Sequence, residues 1–77
     1  MVEVFKTNVE NRHHADMLVN RVHETFPGYK ANFDLDDCDK ILRVEYAAGL
    51  IQSDSLIVLL RHAGFTAEIL PGDCQIH

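Results

Sequence analysis

Two kinds of apolar periodicity follow one another along this chain, and their order limits the possible folds more than any other feature. Apolar and polar residues alternate over residues 29–35, which is typical of a half-buried strand. Apolar residues recur at spacings of four, three and four over residues 15–26, which is typical of one helix face. The full series reads strand, helix, strand, strand, helix, strand within 77 residues. It predicts one α+β domain, a ferredoxin-like βαββαβ two-layer sandwich with an antiparallel four-stranded sheet and two helices on one face.

Individual residues refine the predicted elements. In the first strand, the pattern places Val2 and Val4 toward the core. Asn11 is predicted to be the N-cap of the first helix and Ser53 the N-cap of the second, because their side chains can accept hydrogen bonds from helix N–H groups. Residues 71–77, which follow the last strand, are predicted to form a frayed tail.

Composition and charge narrow the classes of function. The formal net charge of −5 argues against a nucleic-acid backbone or an anionic membrane as the partner. The longest apolar run, residues 56–60, is too short to span a bilayer. Cys38 and Cys74 share neither a zinc-ligand nor a redox spacing, and no signal-peptide pattern is present, so we expect a cytoplasmic protein. The absence of nucleophile-elbow, Walker and catalytic-triad patterns predicts that it is not an enzyme.

Several framework segments resemble the heavy-metal-associated domain family, which includes soluble copper chaperones and small modules of metal-pumping ATPases. They are the helix pattern, Phe-Pro-Gly-Tyr at 26–29 and Ala-Gly-Phe at 63–65, and the resemblance spans residues 2–70. It implies binding of a soft ion such as Cu(I) by the two thiols of a Met-x-Cys-x-x-Cys motif. Counted back from the helix pattern, those thiols correspond to Arg12 and Ala15, so the chain is predicted to lack the metal site of the family.

A different ligand set remains open as an alternative. His13 and His14 lie at the start of the first helix, and Cys38 lies in the turn between the two central strands, beside Asp37. The topology places both segments at one end of the sheet, where they could bind Zn, Ni or Cu. The competing interpretation is that all of these side chains are solvated, because adjacent helical residues point about 100° apart.

The uncovered face of the sheet offers a second kind of site. A two-layer sandwich leaves one side of its sheet without helices. We expect Phe5, Ile41 and Arg43 on that side, giving an apolar centre with a charged rim that suits a homodimer or another protein partner. The competing interpretation is an ordinary exposed face with scattered apolar residues.

Three functional hypotheses follow. The first is a small non-catalytic binding or interaction module that resembles heavy-metal-associated domains but lacks their thiol site and needs no cofactor. The alternative is a metal-binding protein that uses His13, His14 and Cys38. The second alternative is a small-molecule-binding regulatory domain of the same topology.

Overall fold

The computed structural model of the protein describes residues 1–70 and confirms the predicted α+β sandwich. Its elements are β1 (Val2–Thr7), α1 (Arg12–Thr25), β2 (Lys30–Asp34), β3 (Ile41–Glu45), α2 (Ser53–His62) and β4 (Ala67–Ile69). The predicted tail, which contains Cys74, lies outside the described residues. Neither described helix has the length and apolar content that crossing a membrane requires.

The four strands form one antiparallel sheet in the order β2-β3-β1-β4. The first and third strands are therefore central, and each strand–helix–strand unit encloses a strand of the other unit. α1 packs mainly against β2, and α2 packs against β4. The two helices and the sheet enclose a small core, whose largest fully buried side chains are Phe5, Leu18, Leu42, Leu56 and Leu60.

The prediction for the orientation of β1 is wrong. Phe5 is fully buried and Thr7 is nearly so, whereas Val2 is 52% exposed and Val4 is half-buried. Apolar residues occur at both sets of alternating positions in this strand, so the pattern is compatible with either side facing the core. The observed phase sets Phe5 beside Leu42 in the pairing register, and an aromatic ring gains more from burial than a valine side chain does.

The two helices begin differently. Asn11 is the N-cap of α1, as predicted, and its Oδ1 accepts a hydrogen bond from the His13 N–H at 2.7 Å. Gln52 is the N-cap of α2 and makes no side-chain cap bond, so the prediction for Ser53 is wrong. The Ser53 hydroxyl instead donates to the Glu3 carboxylate at 3.1 Å, because β1 brings that acceptor alongside the first turn of the helix.

Aromatic packing holds the end of the molecule at which α1 ends and α2 begins, termed here the aromatic end. The ring of Tyr29 stacks on Phe26 at a centroid distance of 4.9 Å and meets Tyr46 at 4.7 Å. The Tyr29 hydroxyl accepts a hydrogen bond from the backbone N–H of Gln52 at 2.9 Å. Gly28 has φ +94°, and a Cβ atom there would lie 3.2 Å from the Tyr46 ring. This end therefore depends on close ring packing and on a glycine.

Candidate interaction surface

Thr7 organises the opposite end of the molecule, termed here the hairpin end because it carries the β2–β3 turn. The Thr7 N–H donates to the Asp39 carbonyl at 3.1 Å, and its hydroxyl donates to the Lys40 carbonyl at 2.6 Å. The same hydroxyl accepts from the buried N–H of Val9 at 3.2 Å. One nearly buried side chain thus joins the β2–β3 turn to the loop that precedes α1.

The two predicted histidine ligands lie on the α2–β4 side of this end. The ring of His14 packs against Phe65 at a centroid distance of 5.3 Å, and His13 lies beside His14 at 6.1 Å. The neighbouring connection is fixed by the Thr66 N–H, which donates to the Asn8 side chain at 2.9 Å. Both histidines are exposed, and the ring that is packed contacts an aromatic side chain.

The structure does not bring these histidines together with Cys38. In residues 1–70, a set of three or more ligand atoms within 4.8 Å of one another occurs only at Asp37, Cys38 and Asp39. The Cys38 thiol is exposed and forms no disulfide within residues 1–70. The Asp37 carboxylate already accepts a hydrogen bond from the Asp39 N–H at 2.9 Å, which is the usual way that an aspartate stabilises a turn. The predicted set of His13, His14 and Cys38 is therefore not assembled.

The positions that the family resemblance assigns to thiols have other roles here. Ala15 is fully buried and contributes its methyl group to the core. The exposed guanidinium of Arg12 lies 3.7 Å from the Asp16 carboxylate, one helical turn further on. A methyl group cannot ligate a metal, and a guanidinium retains its positive charge.

The uncovered side of the sheet, termed here the open face, differs from the predicted one at its centre. Phe5 was expected there, and this prediction is wrong, because the ring is fully buried among the helices. Arg43 is exposed on this face, and Ile41 lies on it with 9% of its surface accessible. Pairing places Ile41 between Asp34 and Lys6.

Apolar and charged side chains share the open face. The apolar residues, which follow from the pairing register and the burial pattern, are Val2, Val4, Ile41 and Leu70. The charged residues, all exposed, are Lys6, Lys30, Arg43, Asp34, Glu45 and Glu68. Cations and anions are equally numerous here, although the chain as a whole is acidic.

Two further features were not predicted from the sequence. A groove of about 530 Å³ runs between the helices, with Phe26, Val58 and Leu59 among its lining residues. At the edge of the sheet, the backbone N–H of Ala31 donates to the imidazole Nε2 of His23 at 3.2 Å. Both depend on how the helices lie over the sheet, and no local pattern in the sequence reports that arrangement.

No family model matches this chain, and no curated protein matches it in sequence. The function is therefore inferred from the surfaces of the molecule itself.

Proposed function

We propose that this protein is a non-catalytic interaction module of the heavy-metal-associated type, without the thiol metal site, that binds a protein partner through its open face. The observation that carries the proposal is an apolar strip on that face, formed by Val2, Val4 and Leu70 and bordered by charged side chains of both signs. We place this function in the cytoplasm, a reducing compartment in which a thiol such as the exposed Cys38 stays reduced.

The apolar strip favours binding because a partner would bury side chains that are exposed to water in the free chain. Val2 is more than half exposed, and Val4 and Leu70 are half-buried. Ordinary surfaces carry single apolar residues, whereas an apolar centre within a polar rim is typical of a binding patch. Covering these side chains would remove apolar area from water, which is the main favourable contribution to association.

The balance of charge supports a folded protein as the partner. Lys6, Lys30 and Arg43 alternate in space with acidic neighbours, because pairing sets Lys30 beside Glu45 and Lys6 beside Glu68. A polyanion such as nucleic acid selects a surface dominated by one sign. A folded protein surface with an apolar centre and both signs at its rim matches this arrangement better.

The test compares the proteins that the wild-type chain captures with those that two open-face variants, Val4→Asp and Arg43→Glu, capture. Arg21→Glu, which inverts an exposed charge on the helical side, is the matched control. We expect a protein captured by the wild type and by the control to be lost with both open-face variants. The purified partner should then bind wild type in titration calorimetry and lose about tenfold or more in affinity with Val4→Asp. Equal binding by all four chains would refute the proposal.

Metal binding is retained as a second candidate because the ligand atoms of Asp37, Cys38 and Asp39 lie close together. Native mass spectrometry of reduced, chelator-stripped protein with Cu(I), Zn(II) and Ni(II) separates the two functions. Our proposal predicts no specific one-metal adduct. A stoichiometric adduct that is lost in Cys38→Ser, or in His13→Ala and His14→Ala, would favour the metal-binding function instead.

A further inference from the structure

Among residues 1–70, no strand pairs with the β2 edge of the sheet, which is defined by the outward backbone groups of Ala31 and Phe33. The hydrogen-bonding pattern of the inner strands establishes which groups point outward. Met1 and Tyr46 exchange backbone hydrogen bonds across β1 and β3. Because hydrogen-bonded pairs alternate along an antiparallel ladder, the N–H and C=O groups of Val44 point toward β1 and those of Arg43 point toward β2. Lys30, Asn32 and Asp34 lie opposite the β3 residues whose backbone groups point toward β2, so these three residues carry the hydrogen bonds to β3. The N–H and C=O groups of Ala31 and Phe33, which alternate with them, therefore face away from the sheet.

The bond from Ala31 to His23 supports this assignment independently. The Ala31 N–H reaches the imidazole of α1 at 3.2 Å, so it is not directed at β3. His23 is itself exposed, and its ring covers only the Ala31 half of the edge. Exposed edges of this kind readily pair with another strand, and native proteins often block them.

We infer that a second copy of this chain pairs with the β2 edge, antiparallel and about a two-fold axis at Asn32. Around that axis, Ala31 of each copy lies opposite Phe33 of the other. Both residues present outward N–H and C=O groups, so each of these pairs can exchange two backbone hydrogen bonds. The result is one continuous sheet that joins the four strands of each copy.

The side chains of β2 are complementary in this register. Lys30 of one copy lies opposite Asp34 of the second copy, and the symmetry repeats the pair on the other side of Asn32. Both charged side chains are exposed and lie on the open face. Opposite charges directly across an antiparallel pair stabilise it, whereas like charges there destabilise it. Moving the axis by one residue to Ala31 or Phe33 separates Lys30 from Asp34, so charge selects this register.

His23 competes with the second copy for the Ala31 N–H. Pairing requires this N–H to leave the imidazole and donate to the Phe33 carbonyl of the second copy. The histidine thus weakens the association without entering the new ladder. This inference goes beyond the proposed function and does not depend on it, because the β2 edge and the centre of the open face are different surfaces.

Sedimentation equilibrium of Lys30→Asp, Asp34→Lys and the double variant tests the register. We expect the wild type to dimerise between about 10 µM and 1 mM, since a short strand pair buries less than a standard interface. Each single variant should weaken the dimer by about tenfold, because two attractive pairs become repulsive, and the double variant should restore it. Lys6→Asp, which makes the same change on the central strand β1, should leave the dimer unaffected.

Hydrogen exchange supplies a second measurement on the same samples. The Phe33 amide should exchange about tenfold more slowly at dimer-forming concentrations, while the Asn32 amide, which is already paired to β3, should not change. His23→Ala should tighten the dimer several-fold by releasing the Ala31 N–H. A wild type that stays monomeric to about 1 mM, or a dimer that responds to Lys6→Asp and not to Lys30→Asp, would overturn the inference.

Discussion

Different interactions stabilise the two ends of this molecule. At the hairpin end, the Thr7 hydroxyl satisfies two backbone groups from separate loops. At the aromatic end, three rings pack on one another, and one tyrosine hydroxyl caps a backbone N–H. The ends of a small core can thus be stabilised either by hydrogen bonds to buried polar groups or by the burial of apolar area. The two solutions should respond differently to substitution.

The largest effect is expected at the aromatic end. Tyr29→Ala should lower the free energy of unfolding by about 3–5 kcal/mol, because it removes a buried ring that contacts Phe26 and Tyr46. Tyr29→Phe is the matched control and should cost only about 1 kcal/mol, since it loses the bond to Gln52 and keeps the packing. Urea denaturation measures both. Equal losses would show that the hydroxyl, and not the ring, holds this end.

A smaller effect is expected at the hairpin end. Thr7→Val conserves shape but leaves the Lys40 carbonyl and the Val9 N–H without their partner, so it should cost about 2 kcal/mol. Thr7→Ser keeps the hydroxyl and should cost less than about 1 kcal/mol. Denaturation curves again provide the comparison. If Thr7→Val were as stable as wild type, the polar network would not stabilise this end.

The ends also differ in what their glycines tolerate. Gly28 and Gly64 both have positive φ, at +94° and +96°, so alanine at either position should cost about 1 kcal/mol or more. Only at Gly28 would the added Cβ also crowd the Tyr46 ring, at 3.2 Å, whereas nothing lies within 4 Å of it at Gly64. Gly28→Ala should therefore lower the melting temperature further than Gly64→Ala. The reverse order would mean that the aromatic end adjusts freely.

The smallest effect is expected at the helix starts, one at each end. Asn11→Ala removes the cap bond to His13 and should cost about 1 kcal/mol. Gln52→Ala removes a cap residue with no side-chain bond to the backbone and should cost less than about 0.5 kcal/mol. Thermal unfolding followed by circular dichroism distinguishes the two. A larger loss for Gln52→Ala would contradict the difference between the caps.

Much of the fold was predictable because it rests on local patterns. The alternation over residues 29–35 predicts a strand, and β2 lies within that segment. The stripe of Ala15, Val19, Val22 and Phe26 predicts the face of α1 that packs on the core, where Ala15 and Val22 are fully buried and Val19 and Phe26 partly buried. Each of these signals is read within a few residues, so it does not depend on the rest of the chain.

The candidate sites were predicted less well because they depend on distant contacts. The prediction that Phe5 lies on the open face was wrong because both sets of alternating positions in β1 carry apolar residues. The set of His13, His14 and Cys38 was expected from shared topology, but His14 packs on Phe65 and Cys38 clusters with its own turn. Sharing one end of a sheet brings residues to the same region, whereas ligation requires atoms within a few ångströms.

The order of the elements, the buried stripe of α1 and the cap at Asn11 follow from the sequence alone, because periodicity and capping act over one or two helical turns. Two features follow only from the tertiary structure: the side of β1 that faces the core, and the position of His23 against the edge at Ala31. The first depends on the pairing of Phe5 with Leu42 and Ile69, and the second on the packing of α1 over β2. These contacts join residues far apart in the chain, and their geometry is set by the packing of the whole core.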